Sequence, residues 1–148
     1  MNRLSKALVA AVAVVATVSG FSPASRQAQA VAAADTCAGS QVGTTMTSKH
    51  PATGEVIALT RAYRGDGKIC VVSVKQNSYY GKNTYMELHM YKSNGNHVVD
   101  NGNFLYTAGP VRMTNNGMCI HFELDLWNGP KPGSTNIVQD YSYGGINC

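Results

Sequence analysis

Glu87 and His89 lie two residues apart, and so in turn do His121, Glu123 and Asp125. That spacing puts each set on one face of an extended strand. A carboxylate beside an imidazole is the minimum equipment for general acid–base chemistry. With Arg61 as a phosphate clamp it would give the combination of a small extracellular hydrolase or ribonuclease. The same residues are also what the wet side of a half-solvated antiparallel strand ordinarily carries, where opposite charges on neighbouring strands support the pairing. The second account is the stronger, and no catalytic residue is assigned. For metal binding, His121, Glu123 and Asp125 on one strand are spaced about 7 Å per step, too far apart to close on one ion. No C-x-x-C pair occurs. Neither a metal nor any other cofactor is expected.

Aromatic residues are the stronger binding signal. Tyr79 and Tyr80 sit between candidate strands, Tyr85 and Tyr91 share a face with Glu87 and His89, Trp127 borders a Gly-Pro segment, and Tyr141 and Tyr143 lie near the end. A tyrosine joins an apolar ring to a hydroxyl, which suits glycan and protein surfaces, although sheets also use such rings for cross-strand packing. Tyr79, Tyr80, Tyr85 and Tyr91 are the candidate binding residues.

The elements that must position these side chains are short β-branched and aromatic runs separated by Gly and Asn clusters, the pattern of an all-β antiparallel sandwich or partly open barrel. Strands are expected over Gly43–Thr47, Glu55–Tyr63, Ile69–Gln76, Thr84–Lys92, Gly109–Thr114 and Met118–Leu126, with a last one near Ile137–Tyr143. Thr84–Lys92 alternates most cleanly, with Met86, Leu88 and Met90 on the face opposite Tyr85, Glu87, His89 and Tyr91. Gly65-Asp66-Gly67 and Asn115-Asn116-Gly117 both read as hairpin turns, because their residues tolerate positive φ. Ser93–Phe104, with two Asn-Gly pairs, reads as a polar loop holding at most a short edge strand. Asn128–Gly133, with two prolines, reads as an exposed connection, and a rigid loop there would suit an enzyme inhibitor.

The chain has 148 residues, and its first thirty carry Arg3 and Lys6, an apolar run from Ala7 to Val18, and Ala28-Gln29-Ala30. That is the layout of a secretory signal peptide with its cleavage site. The expected division is residues 1–30 as signal peptide and 31–148 as one secreted β domain. Removing Arg3, Lys6 and Arg26 leaves nine basic against eight acidic residues, a net charge of +1 instead of +4. A near-neutral chain with scattered cations lacks the basic stripe that nucleic acid or anionic lipid requires. Neither is an expected partner once the signal is gone.

Cys37, Cys70, Cys119 and Cys148 all fall in the exported part, and an even number in an oxidising compartment implies two disulfides. Cys70 shares a face with Val72 and Val74, whereas Cys119 shares one with His121, Glu123 and Asp125. In regular strands the two would point to opposite surfaces. Of the three possible pairings this weighs against Cys70 with Cys119, unless a β-bulge at either cysteine reverses the parity; the expected bridges are Cys37 with Cys70 and Cys119 with Cys148.

The order of Asp100-Asn101-Gly102-Asn103-Phe104, Ala108-Gly109-Pro110-Val111 and Gly117-Met118-Cys119 resembles the spore-associated protein A family of spore-forming filamentous actinobacteria. Cys37-Ala38-Gly39 and Gly67-Lys68-Ile69-Cys70-Val71-Val72 resemble its upstream segments, and the likeness weakens after Cys119. The resemblance implies a secreted, non-catalytic protein of the spore or hyphal surface with a structural or adhesive role. Its expected partner is a cell-wall or spore-coat component.

Overall fold

The computed structural model describes residues 37–130, 137–139 and 143–148. The signal-peptide and cleavage-site assignments, Tyr141, and Lys131–Gly133 of the proposed inhibitor loop lie outside these residues. Among the described residues nine strands follow one another: β1 (Ser40–Lys49), β2 (Val56–Gly65), β3 (Lys68–Lys75), β4 (Thr84–Lys92), β5 (His97–Phe104), β6 (Thr107–Thr114), β7 (Ile120–Trp127), β8 (Ile137–Gln139) and β9 (Tyr143–Ile146). A one-turn 3-10 helix, Asn77–Tyr79, precedes β4. Among the described residues no helix is long and apolar enough to cross a membrane.

The strands form two antiparallel sheets that face each other as a sandwich. Sheet A runs β1-β2-β3-β6; sheet B runs β5-β4-β7, with β8 and β9 both pairing the far edge of β7. The alternation in the sequence decides what lies between them. Met86, Leu88 and Met90 of β4, with Ile120, Leu124 and Leu126 of β7, are fully buried, and Phe122 nearly so. They pack against Ala62, Ile69, Val71, Val111 and Met113 of sheet A. Burying each large side chain contributes about 1.5–3 kcal/mol. A second small cluster, Cys37, Tyr63, Cys70 and Val72, sits on the outer side of sheet A.

Both expected disulfides form, Cys37–Cys70 and Cys119–Cys148. Asp66 and Gly67, at φ 49° and 69°, make the two-residue turn of the β2–β3 hairpin.

Two expectations are corrected. Asn115-Asn116-Gly117 is not a hairpin turn: β6 pairs β3 in sheet A while β7 pairs β4 in sheet B, so this segment crosses between sheets. Local turn chemistry permits a reversal without specifying that the flanking strands pair. Ser93–Phe104 holds a full eight-residue strand, β5, in register with β4 from Tyr91↔His97 to Thr84↔Phe104. Its polar residues mark an edge strand with one wet face, rather than a loop.

The seam between β5 and β6 joins two segments of the resemblance motif. Asp100 Oδ2 accepts the backbone N–H of Gly109 at 2.6 Å, a charge-assisted bond. Gly109 and Pro110 together face Val72, between the Val71↔Val111 and Ser73↔Ala108 pairings, a β-bulge that accommodates a proline within the sheet. Gly109 has φ +95°, and a Cβ there would lie 2.8 Å from the Val71 carbonyl oxygen. Gly109→Ala is therefore expected to lower stability by about 2–3 kcal/mol, the cost of a strained backbone plus a displaced strand. An unchanged urea midpoint would contradict this.

Candidate functional site

The four tyrosines singled out from the sequence do not form one site. Tyr79 is buried, its hydroxyl donating to Asn128 Oδ1 at 3.2 Å, and burial, with Glu55 nearby, raises its pKa. It is a packing residue, the buried member of the 3-10 turn and part of the main core cluster. Tyr80, on the opposite side of that turn, is 42% exposed. Tyr85 and Tyr91 stand on the outer face of sheet B.

Tyr80 belongs to an exposed apolar tip that the sequence pattern did not reveal. Leu105 and Tyr106, linking β5 to β6, are 47% and 48% exposed, and the rings of Tyr80 and Tyr106 meet at 4.8 Å. The signal was there in part: two large apolar residues occupy a short connection where glycine, asparagine or aspartate is usual.

Both segments carrying the tip are anchored. The N–H of Gly81 donates to Leu105 O at 2.9 Å, and that of Lys75 to Tyr106 O at 2.8 Å. Lys75 also turns its fully buried side chain inward, Nζ donating to Lys82 O at 2.8 Å and Phe104 O at 2.5 Å. One ammonium thus ties together the two segments that present Tyr80 and Tyr106. Desolvation, with Lys82 adding repulsion, lowers its pKa to about 8. Glu55 clamps the 3-10 turn by accepting from the backbone N–H and hydroxyl of Ser78 at 3.0 and 2.9 Å, and these bonds lower its pKa.

The outer face of sheet B gathers the acid–base residues. β4 and β7 are neighbours, with Glu87 opposite Asp125, His89 opposite Glu123 and Tyr91 opposite His121. His89 Nε2 lies 3.2 Å from Glu87 Oε2, and His89 Nδ1 lies 2.9 Å from His97 Nε2. Tyr85 donates to Glu87 Oε1 at 3.1 Å and receives Asn101 Nδ2 at 3.3 Å. Tyr91 donates to Glu123 Oε1 at 2.6 Å; burial and this carboxylate raise its pKa, and burial and Glu87 raise that of Tyr85. The rings of Tyr91 and His97 stack at 4.4 Å, and Tyr85 meets Trp127 edge-on at 5.2 Å.

Glu87 and His89 are thus paired as a base and its orienting acid. The other members of the hydrolase arrangement lie elsewhere. Arg61 pairs with Val72 on the outer side of sheet A, across the molecule from these acids. His121 Nε2 sits 2.9 Å from Cys119 Sγ, beside the second disulfide. The metal expectation is altered as well. Pairing across β4 and β7 brings donor atoms of Glu87, His89 and Asp125 within 4.8 Å of one another, a set drawn from two strands instead of one.

No protein-family model, curated protein or solved structure matches the chain.

Proposed function

We propose that the chain is a non-catalytic, secreted protein of an outer cell or spore surface with a structural or adhesive role, contacting a cell-wall or spore-coat component through Tyr80, Leu105 and Tyr106. The observation that carries this reading is the tip itself: three large apolar side chains held out to solvent on backbone pinned from beneath by Lys75. A pre-ordered aromatic pair offers ring faces and hydroxyls to a sugar or protein surface, with little conformational entropy left to lose on contact. Two disulfides suit an oxidising compartment. The resemblance to the spore-associated protein A family points the same way.

The test is binding of the purified, oxidised protein to isolated spore or hyphal walls, beside a Tyr80→Ser, Leu105→Ser, Tyr106→Ser variant. Because all three side chains are exposed, the variant should keep the wild-type urea midpoint. Its binding should weaken by about tenfold or more, as expected when anchor side chains at an interface are truncated. Wild-type binding no greater than that of an albumin control would remove the wall-contact reading and direct attention to hydrolase and inhibitor assays. Saturable binding that survives the triple change would move the contact away from the tip.

A further inference from the structure

We propose that the outer face of sheet B binds a divalent first-row transition-metal ion through Glu87, His89 and Asp125. The three side chains come from two adjacent strands, and one donor atom of each lies within 4.8 Å of the other two. Ligand atoms around such an ion, at bonds of about 2.0–2.2 Å, stand about 3–3.5 Å apart. The Glu87–His89 pair already meets that separation at 3.2 Å. Asp125, half-buried on the neighbouring strand, closes the set by a change of side-chain torsion.

The charge arrangement suits a cation. Glu87 and Asp125 face each other directly across the ladder, and Glu123 follows on the next rung. Like charges directly opposite destabilise a strand pair. Among the residues that β4, β5 and β7 place on this face, namely Tyr85, Glu87, His89, Tyr91, His97, Val99, Asn101, Asn103, His121, Glu123, Asp125 and Trp127, there is no lysine or arginine. A dication held between the two carboxylates converts their repulsion into shared ligation.

The surroundings hold the ligands in place. Tyr85, itself held by Asn101, occupies Glu87 Oε1 and leaves Oε2 turned towards His89. His97 contacts the far nitrogen of His89, Nδ1, so that Nε2 is the one presented to the carboxylates. Such outer partners fix the tautomer and ring orientation of a metal-bound histidine. On binding, the His89 proton resides on Nδ1 and is donated to His97, and the Nε2 lone pair goes to the ion. The side chains of His89 and Glu87 are only 15% and 25% exposed, which limits competition from water.

One imidazole nitrogen and two carboxylate oxygens suit a borderline ion such as Zn²⁺ better than Ca²⁺, which prefers six to eight oxygens. Three protein ligands leave further positions for water or for an oxygen of a partner. The site is independent of the wall-contact reading, since it uses strand side chains rather than the loop tip.

The probe is Zn²⁺, titrated calorimetrically into chelator-treated, oxidised protein, with Ca²⁺ as comparison. One equivalent of Zn²⁺ should bind in preference to Ca²⁺. Glu87→Gln and Asp125→Asn, which keep the side-chain shape, should each weaken binding at least about tenfold. His97→Ala should weaken it about ten- to a hundredfold, as loss of an orienting partner does. His121→Ala should leave it unchanged. Zn²⁺ should also raise the thermal midpoint of the wild type, but not of the two carboxylate variants, because an ion that binds only the folded chain stabilises it. Absence of binding at millimolar Zn²⁺ would overturn the site, as would unchanged affinity in both carboxylate variants. Loss of binding confined to His121→Ala would move the metal to His121 and equally overturn it.

Discussion

Replacing Cys119 and Cys148 together by serine is expected to lower stability by about 3.5 kcal/mol, the chain-entropy value for a loop of this size; the cysteines are 29 residues apart. The loss should be concentrated at the C-terminus. β9 pairs β7 from Ile120↔Ile146 to Glu123↔Tyr143, and Ile146 is buried in the core. The strand is four residues long and ends two residues before the bridge. A strand this short at a sheet edge gains little from its own ladder, so without the tether its amides should exchange with solvent much faster than those of β4 or β7. The companion variant, Cys37→Ser with Cys70→Ser, should cost a similar amount across its 33-residue separation, but should loosen the Tyr63 and Val72 cluster instead. Access sets the order of reduction. Cys37 and Cys70 are buried whereas Cys148 is exposed, so a mild reductant should open Cys119–Cys148 first. Urea midpoints with hydrogen exchange on both variants check this. Unchanged protection at residues 143–146 in the Cys119/Cys148 variant would mean that Ile146 alone holds β9.

The same cysteines show why part of the fold was legible in the sequence. Parity along β3 and β7 weighed against Cys70 with Cys119 and so narrowed the three possible pairings without deciding between the two that remained; the bridges that form are Cys37–Cys70 and Cys119–Cys148. Alternation likewise identified the inner residues of β4 and the shared outer face of Glu87 and His89. It did not identify β5, where His97, Val99, Asn101 and Asn103 face water and the other set meets the core partly through Gly102. A hydrophobic pattern is weak where a strand lies at an edge and carries glycine. Strand order also escaped. Nothing local in Asn115-Asn116-Gly117 says that the next strand joins the other sheet, and only the packing of β7 against β4 decides it. The aromatic tip was half legible, with Tyr80 found and Leu105 and Tyr106 missed, because proximity between residues 80 and 106 exists only after both sheets have formed. The Glu87, His89, Asp125 cluster depends in the same way on a register between strands that are more than thirty residues apart in the chain.

Lys75 is the residue whose consequences the sequence hid most completely, since at the end of β3 it reads as a solvated charge. In the fold it is fully buried, and its pKa falls from 10.5 to about 8. Its unfolded-state value stays near the ordinary one. Between about pH 8 and pH 10, therefore, the unfolded chain holds a proton that the folded chain has released, and stability rises with pH by about 1.4 kcal/mol per unit. The contribution is fully present above the unfolded pKa and lost as pH falls through about 8. Stability is accordingly expected to increase by about 2 kcal/mol from pH 8 to pH 9.5. Above about pH 10 the trend should reverse, because Tyr79, Tyr85 and Tyr91 have raised pKa values and the unfolded chain then loses protons that the folded chain keeps. A neutral amine retains two hydrogens, enough for the two carbonyls of Lys82 and Phe104, so the aromatic tip should keep its geometry throughout. Lys75→Met removes the titrating group and both bonds. Its urea midpoint should be flat from pH 8 to 9.5, and binding through Tyr80 and Tyr106 should weaken although neither residue has changed. A variant whose midpoint climbs in parallel with the wild type would place the titration elsewhere. One with flat stability but undiminished wall binding would show that the loops hold the tip without the lysine.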